Sequence, residues 1–470
     1  MAQIRFGTDG WRAIIARDFT FDNVRACAQG TAAYLKAQGT ASLGVVIGYD
    51  TRFASEDFAA EVAGVLAASG VPSVLATSFS PTPVTSYGIL EHRAAGGVVI
   101  TASHNPARWN GYKYKSEHGG SASPEVVARL EEEIARAQGG EVPCLPLEQA
   151  EADGLVRRAD LRLPYVDHLA TLLDLRALRD AGLRVVVDAM HGAGYGYLPS
   201  ILEGGATRVV ELRGHRNPAF PGMHNPEPIE PNLGELALRV PQEGADVGLA
   251  MDGDADRLGV VDEGGRYLNA LQVFALLALY WLEVRGERGP IIKSLTTSRA
   301  VNRLGEVYGV PVHETPVGFK YVGPLMLRHQ ALLGGEESGG YGYRGHIPER
   351  DGILSGLFLL DFMVRTGKRP SELLALLESK VGPHHYQRHD VTFRPEERGA
   401  IAQRLEGRAV RDLAGHRVAQ TDTIDGRRFV LEDGAWVVVR FSGTEPLLRI
   451  YAEAPSPEQV ERLLAATEEL

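Results

Sequence analysis

Val98-Val99-Ile100-Thr101-Ala102-Ser103-His104-Asn105-Pro106 starts as an apolar run, breaks into polar residues and ends on a proline. A run apolar on both faces reads as a buried strand of a parallel or mixed sheet. The same kind of run recurs at Val45-Val46-Ile47-Gly48-Tyr49-Asp50, Val185-Val186-Val187-Asp188, Val247-Gly248-Leu249-Ala250 and Ile291-Ile292-Lys293. Between them lie amphipathic stretches such as residues 22–38 and 56–69. Strands alternating with helices predict α/β layers. The last stretch differs: residues 429–432, 435–441 and 447–454 read as consecutive strands, flanked by helical segments at 395–406 and 456–469. That pattern is α+β, and Gly382-Pro383-His384-His385-Tyr386 before it reads as a linker.

A chain of 470 residues has room for three or four domains. The spacing predicts boundaries at 1–155, 156–260, 261–380 and 381–470, with an α/β chain followed by a smaller α+β domain. Hydrophobic residues at 44% and charged residues at 23% are ordinary for a globular protein and exclude disordered and disulfide-scaffold classes. The formal net charge of −11 argues against a protein that tracks the phosphates of nucleic acid. It leaves room for a local anion site. Two cysteines, Cys27 and Cys144, suit a reducing compartment and exclude a cysteine-based zinc site. The amino terminus lacks the apolar stretch of a signal peptide. The longest apolar run, residues 271–284, is shorter than the ~20 residues of a membrane span. The expectation is a cytoplasmic protein with no membrane or nucleic-acid partner.

Four segments carry chemistry. Ser103 follows a strand end, where ligands gather in α/β sheets, with His104 and Asn105 beside it. Alone, this reads first as an ordinary polar turn after a strand. Asp252-Gly253-Asp254-Ala255-Asp256-Arg257 sets three carboxylates at alternate positions, hard oxygen donors suited to magnesium. An EF-hand would place Glu263 at its twelfth position, but its sixth position needs glycine and holds Arg257. Strand-like residues also flank the loop where helices belong, so the EF-hand is rejected. Arg440-Phe441-Ser442-Gly443-Thr444-Glu445-Pro446 offers hydroxyls, amides around a glycine and an arginine: a phosphate cradle, or a plain hairpin turn. Gly335-Glu336-Glu337-Ser338-Gly339-Gly340 suits sugar hydroxyls, or is a surface loop. A fifth cluster, Gly192-Ala193-Gly194-Tyr195-Gly196, has the wrong spacing for a dinucleotide loop and reads as a structural turn.

Taken together, these segments resemble the α-D-phosphohexomutase superfamily, the phosphoglucomutases and phosphomannomutases. Phe6-Gly7-Thr8-Asp9-Gly10-Trp11-Arg12 is similar to its amino-terminal F-G-T-x-G-x-R, and the other motifs follow in family order across nearly the whole chain. The resemblance implies three α/β/α sandwich domains with mixed sheets and a smaller fourth domain around a central cleft. It implies that Ser103 is phosphorylated and that Mg2+ is held by Asp252, Asp254, Asp256 and a phosphoserine oxygen. Arg12 would sit beside Ser103, and Arg257 would stabilise transferred charge. Lys113 and His104 become the proton-shuttle candidates. Glu336 and Ser338 would contact the sugar, with Lys320, His346 and Arg350 completing the substrate set. Arg440, Ser442, Gly443 and Thr444 would anchor the phosphate that is not reacting. The implied partners are hexose phosphates, with a hexose 1,6-bisphosphate as intermediate and activator.

One nucleophile must serve both ends of the sugar, so the bisphosphate must turn around against a fixed anchor. Residues 346–352 resemble the H-I-x-E-K-D-G element of glucose-type enzymes, with Arg350 in place of lysine, and Glu337 fits that branch. Gly340 stands where mannose- and glucosamine-type branches often have histidine. The resemblance therefore favours phosphoglucomutase activity over phosphomannomutase or dual activity. A catalytically silent sugar-phosphate sensor would be expected to lack Ser103, a loop aspartate or the phosphate loop, and all are present.

Overall fold

The computed structural model describes residues 3–7, 9–407, 410–442 and 447–469. Each expected apolar run is a strand, and the strands build four sheets. The first sheet runs in the order Trp11–Ile14, Trp109–Ser116, Gly96–Ile100, Val45–Tyr49, Ser73–Ala76, Val156–Ala159. Its centre is parallel, and Gly96–Ile100 is buried along its whole length. The second sheet is Tyr267–Leu268, Leu258–Asp262, Val247–Met251, Arg184–Asp188, Arg208–Leu212. The third is Val312–Thr315, Ile291–Ser294, Leu333–Gly335, Tyr341–Tyr343. Helices such as Phe21–Ala37, Ser55–Ala68 and Gly352–Thr366 bury their apolar sides against these sheets. The fourth sheet is antiparallel throughout, with the helix Pro457–Glu468 packed on it and a small core of its own.

Two expected boundaries cut through sheets. Val156–Ala159 pairs with Ser73–Ala76 and closes the first sheet, so the limit at 155 falls one strand early. Leu258–Asp262 pairs with Val247–Met251 and carries Tyr267–Leu268, so the limit at 260 splits a hairpin. The segment read as a linker begins a strand, His385–Thr392, on the edge of the fourth sheet. Residues 271–284 are not a span but a core helix: Ala270–Leu279, capped by Asn269 and Gln272, sits in the largest apolar cluster. Among the described residues no helix is long and apolar enough to cross a membrane.

Strand pairing decides where the functional loops lie. In each sheet, one loop of interest joins two consecutive strands that pair antiparallel. Ile100 lies opposite Tyr112, Met251 opposite Leu258, Gly335 opposite Tyr341, and Phe441 opposite Leu448. The described residues between these pairs are therefore hairpin tips, held at a sheet end by the ladder below them.

His346 is turned away from these tips. Its Nδ1 meets His168 Nε2 at 3.0 Å, and its Nε2 lies 2.9 Å from Asp351 Oδ2, which also accepts from the Tyr165 hydroxyl at 2.7 Å. Tyr87 stacks on His168 with centroids 4.5 Å apart. The expectation that His346 binds substrate is corrected: its side chain is fully covered and stitches helices Thr82–His92 and Arg162–Leu172 to the start of Gly352–Thr366. Burial first, and His346 second, push the His168 imidazole down to about 4. An unfolded histidine titrates near 6.5, so the unfolded chain binds the extra proton between about pH 6.5 and 4. Stability present above that window is lost as pH falls through it. The melting temperature should fall from pH 7.5 to pH 5, and fall less in His168→Phe, which keeps the stack; equal falls would contradict this.

Candidate active site

The serine loop is built around an arginine that the motif reading did not single out. Arg52 is fully buried one turn beyond Val45–Tyr49. Its Nη2 donates to the carbonyls of Ser103 at 2.5 Å and Asn105 at 2.6 Å, and its Nη1 to those of Pro106 and Trp109 at 3.1 and 3.0 Å. Asp50 lies 3.2 Å from Arg52 Nε and accepts from Thr101 Oγ1, whose oxygen in turn accepts from the Ser103 amide. These bonds hold Ser103 at φ +51°, a left-handed conformation that a side-chain-bearing residue keeps only when its surroundings impose it. The signal in the sequence was Asp50-Thr51-Arg52 at a strand end, the same position that made Ser103 notable.

The acidic loop packs directly on the serine. A side chain at Gly253 would come within 2.4 Å of the Ser103 carbonyl oxygen, so the close approach needs glycine there. Ser103 Oγ donates to Asp252 Oδ2 at 2.7 Å, and Thr82 Oγ1 donates to Asp254 Oδ2 at 2.6 Å. The glycine cluster 192–196 backs this loop through Ala193 N, which donates to the Gly253 carbonyl at 2.9 Å. That is the structural turn expected, with a definite task. Strands, not helices, flank the loop, as the rejection of an EF-hand required.

Asp252, Asp254 and Asp256 are all buried, and they offer carboxylate oxygens within 4.8 Å of one another. Asp254 Oδ1 and Asp256 Oδ1 have no hydrogen-bond partner among the described residues. A close trio of buried carboxylates with unpartnered oxygens fits a hard divalent cation. Burial, then Asp254 and Asp256, push the Asp252 carboxyl well above the usual carboxylate range. Burial would also raise Asp254, but Lys113 outweighs it and holds that carboxyl below its ordinary value.

Lys113 arrives from the strand Trp109–Ser116, opposite Val99. Its ammonium lies 2.7 Å from Asp9, 2.8 Å from Asp254 and 3.3 Å from Asp256. Burial opposes its charge, yet the three carboxylates raise its pKa, so it keeps its proton. Lys113, one of the two proton-shuttle candidates, is held here by three carboxylates. His104 behaves oppositely. Burial, then Arg257, Arg12, Lys113 and Arg52, hold its imidazole well below its ordinary value, so it is neutral near pH 7. Its Nδ1 is 3.4 Å from Ser103 Oγ. Arg12 donates to Asn105 Oδ1 at 2.6 Å, placing it on the serine loop. Arg257 pairs with Glu227 at 2.7 Å and lies 4.0 Å from both Asp252 and Asp256.

The third sheet contributes Glu336, whose Oε1 accepts from Gly318 N at 2.8 Å. Ser338 is half-buried on the same turn. Arg350 lies 2.8 Å from Asp9, 2.8 Å from Asp256 and 3.4 Å from Glu336, so it ties all three α/β domains together. Lys115, Asp9 and Glu349, also unforeseen, extend this network: Lys115 Nζ lies 2.8 Å from Asp9 and 2.6 Å from Glu349. Lys320 is half-buried on the first turn of the helix Phe319–His329. In the fourth domain Arg440 pairs with Asp425 at 3.2 Å, and Asp425 accepts from Val317 N at 3.0 Å, next to the amide that holds Glu336. Ser442 is buried and donates its amide to Leu447 at 2.8 Å. Gly443 and Thr444 lie outside the described residues.

Family models match in four consecutive pieces. Phosphoglucomutase/phosphomannomutase α/β/α domain I covers residues 3–140, domain II 163–265, domain III 269–380 and the C-terminal domain 397–470. A phosphoglucomutase/phosphomannomutase of Thermococcus kodakarensis is 33% identical over 464 residues, 98% of this chain and 96% of that one. A probable phosphoglucosamine mutase of Methanosphaera stadtmanae is 31% identical, covering 97% and 95%. A crystal structure from Thermus thermophilus, provisionally named a phosphomannomutase, matches with a TM-score of 0.85 and 38% identity over 100% of this chain and 99% of that one. With the four sheets in order and the serine and acidic loops in contact, the chain belongs to the phosphoglucomutase/phosphomannomutase family, the phosphohexomutases.

Proposed function

We propose that this enzyme interconverts the 1- and 6-phosphates of glucose through a phosphoserine at Ser103 and a glucose 1,6-bisphosphate that turns around in the cleft. The observation that carries the reading is the Ser103 hydroxyl bonded to Asp252 in a buried carboxylate trio with two orphaned oxygens. Asp252, Asp254 and Asp256, with an oxygen of phosphorylated Ser103, would hold Mg2+, which supplies positive charge against the phosphoryl oxygens.

The chain's own residues do the rest. A free sugar hydroxyl attacks the phosphorus of phosphoserine, and the bond from phosphorus to Ser103 Oγ breaks. His104, with Nδ1 3.4 Å from Ser103 Oγ, takes and returns the proton. Lys113 and Arg257 hold fixed charge against the transferred group, and Arg12 orients the loop through Asn105. Glu336 and Ser338 receive sugar hydroxyls, with Arg350 beside Glu336 and Lys320 completing the set. Arg440, Ser442, Gly443 and Thr444 hold the idle phosphate. After the bisphosphate turns, Ser103 Oγ attacks the phosphorus at the other end, the bond from that phosphorus to the sugar oxygen breaks, the serine proton passes to the sugar oxygen, and the phosphoserine is restored.

Glucose is preferred on residues 346–352 and Glu337. Glu336 and Ser338 would meet O3 and O4, which are alike in glucose and mannose, and relatives named for glucosamine keep that substrate in contention. Mutase rates on glucose 1-phosphate, mannose 1-phosphate and glucosamine 1-phosphate decide the matter. We expect kcat/KM for the glucose ester to lead by at least about tenfold, roughly 1.4 kcal/mol of transition-state discrimination. A lead for either other sugar overturns the substrate assignment, and no turnover of any overturns the activity. Chelation should abolish turnover and added magnesium should restore it. Full turnover in protein stripped of metal, verified by elemental analysis, would contradict the role of the aspartates.

A further inference from the structure

Gly340 closes the turn that presents Glu336: Glu336 N donates to the Gly340 carbonyl at 3.1 Å. Its backbone lies outside the left-handed region, so conformation does not demand glycine there. Space does. A Cβ at 340 would fall 2.1 Å from Arg350 Cδ, 2.6 Å from its Cγ and 3.2 Å from its Cβ. All three atoms belong to one side chain, and that side chain cannot swing aside cheaply. Arg350 is 5% exposed, and its far end is pinned by four carboxylates: Asp9 and Asp256 at 2.8 Å, Glu336 and Glu349 at 3.4 Å. The guanidinium also lies over the Phe319 ring, 5.7 Å from its centroid. A side chain at 340 must therefore either lift the arginine off its acids or push the turn that carries Glu336.

We infer that Gly340 and Arg350 act as one positioning unit, in which the bare glycine clears the path of the Arg350 stem and the guanidinium fixes Glu336 relative to Asp256, so that a hexose phosphate is held with its hydroxyls against Glu336. The inference rests on the reading of this cleft as a hexose-phosphate site. Arginine suits the task because its rigid fork spans several acceptors at once and stays charged, whereas lysine offers one mobile point charge. Arg350 acts through Glu336, so its loss should weaken sugar binding more than it slows the chemical step.

A double-mutant cycle tests this. Gly340→Ala is made in the native chain and in Arg350→Met, which keeps a flexible stem without the fork; Arg350→Lys is the second background should Arg350→Met not fold. Glucose 1-phosphate binding is measured by calorimetry in chelator, and melting temperature without ligand. In the native background Gly340→Ala should raise Kd by at least about tenfold, with KM rising in step and kcat changing less than about threefold. In the Arg350→Met background the same substitution should change Kd by less than about twofold. Unchanged binding in Gly340→Ala, equal losses in both backgrounds, or a lower melting temperature with normal Kd each overturns the pair as a positioning unit. A native protein that binds none of the three hexose 1-phosphates overturns the proposed function instead. The thermal cycle then decides the pair: a drop on Gly340→Ala in the native chain that vanishes with Arg350→Met upholds the coupling, and equal drops refute it.

Discussion

Three carboxylates in one buried loop cannot all stay ionised unless cations are brought to them, and the rest of the site is arranged around that constraint. Asp252, Asp254 and Asp256 come from the second domain, Lys113 and Asp9 from the first, Arg350 and Glu336 from the third. The pairs cross domain limits: Lys113 meets Asp254 and Asp256, and Arg350 meets Asp9 and Asp256. Removing one member of a buried ion pair costs about 3–5 kcal/mol, because the other is left uncompensated. The three α/β domains are thus held in register by the charges around the acidic loop. The trio remains short of compensation at Asp254 Oδ1 and Asp256 Oδ1, where a cation fits.

Pairing topology turns that constraint into a cleft. The serine, acidic and Glu336 loops are each the tip of an antiparallel pair, supported from below and aimed out of the sheet. The serine tip needs extra support because it is strained, and Arg52 provides it with four carbonyl contacts. The fourth domain meets the third through a buried apolar cluster of Leu295 with Trp436, Val438 and Tyr451, and through Asp425 on Val317 N, Arg428 on Glu314 and Arg388 on Glu337. Asp425 links Arg440 to the turn beside Glu336.

Much of this was legible from the residues. Buried strands announce themselves as Val- and Ile-rich runs, and the loops after them carry the reactive side chains. What stayed hidden has a physical reason. Arg350 and Asp9 are 341 residues apart, and nothing local marks a charged residue as buried. Arg52, Lys115 and Glu349 were missed on the same ground. His346 sits within a recognisable motif, but its partner Asp351 lies five residues on and draws it into the core. The strand His385–Thr392 is polar and mostly exposed, so it lacks the alternation that marks a strand. Boundaries failed at Val156–Ala159 and Leu258–Asp262 because a strand's sheet is set by its partner, which composition does not name.

The central claim is that Ser103 is the nucleophile that carries the phosphoryl group. Its most direct test is the mass of the protein and of the peptide containing Ser103 after incubation with glucose 1,6-bisphosphate and magnesium. The account predicts one added phosphoryl group on Ser103, discharged by glucose 1-phosphate, and none in Ser103→Ala. A phosphoryl group on another residue, or full mutase turnover in Ser103→Ala, would contradict it.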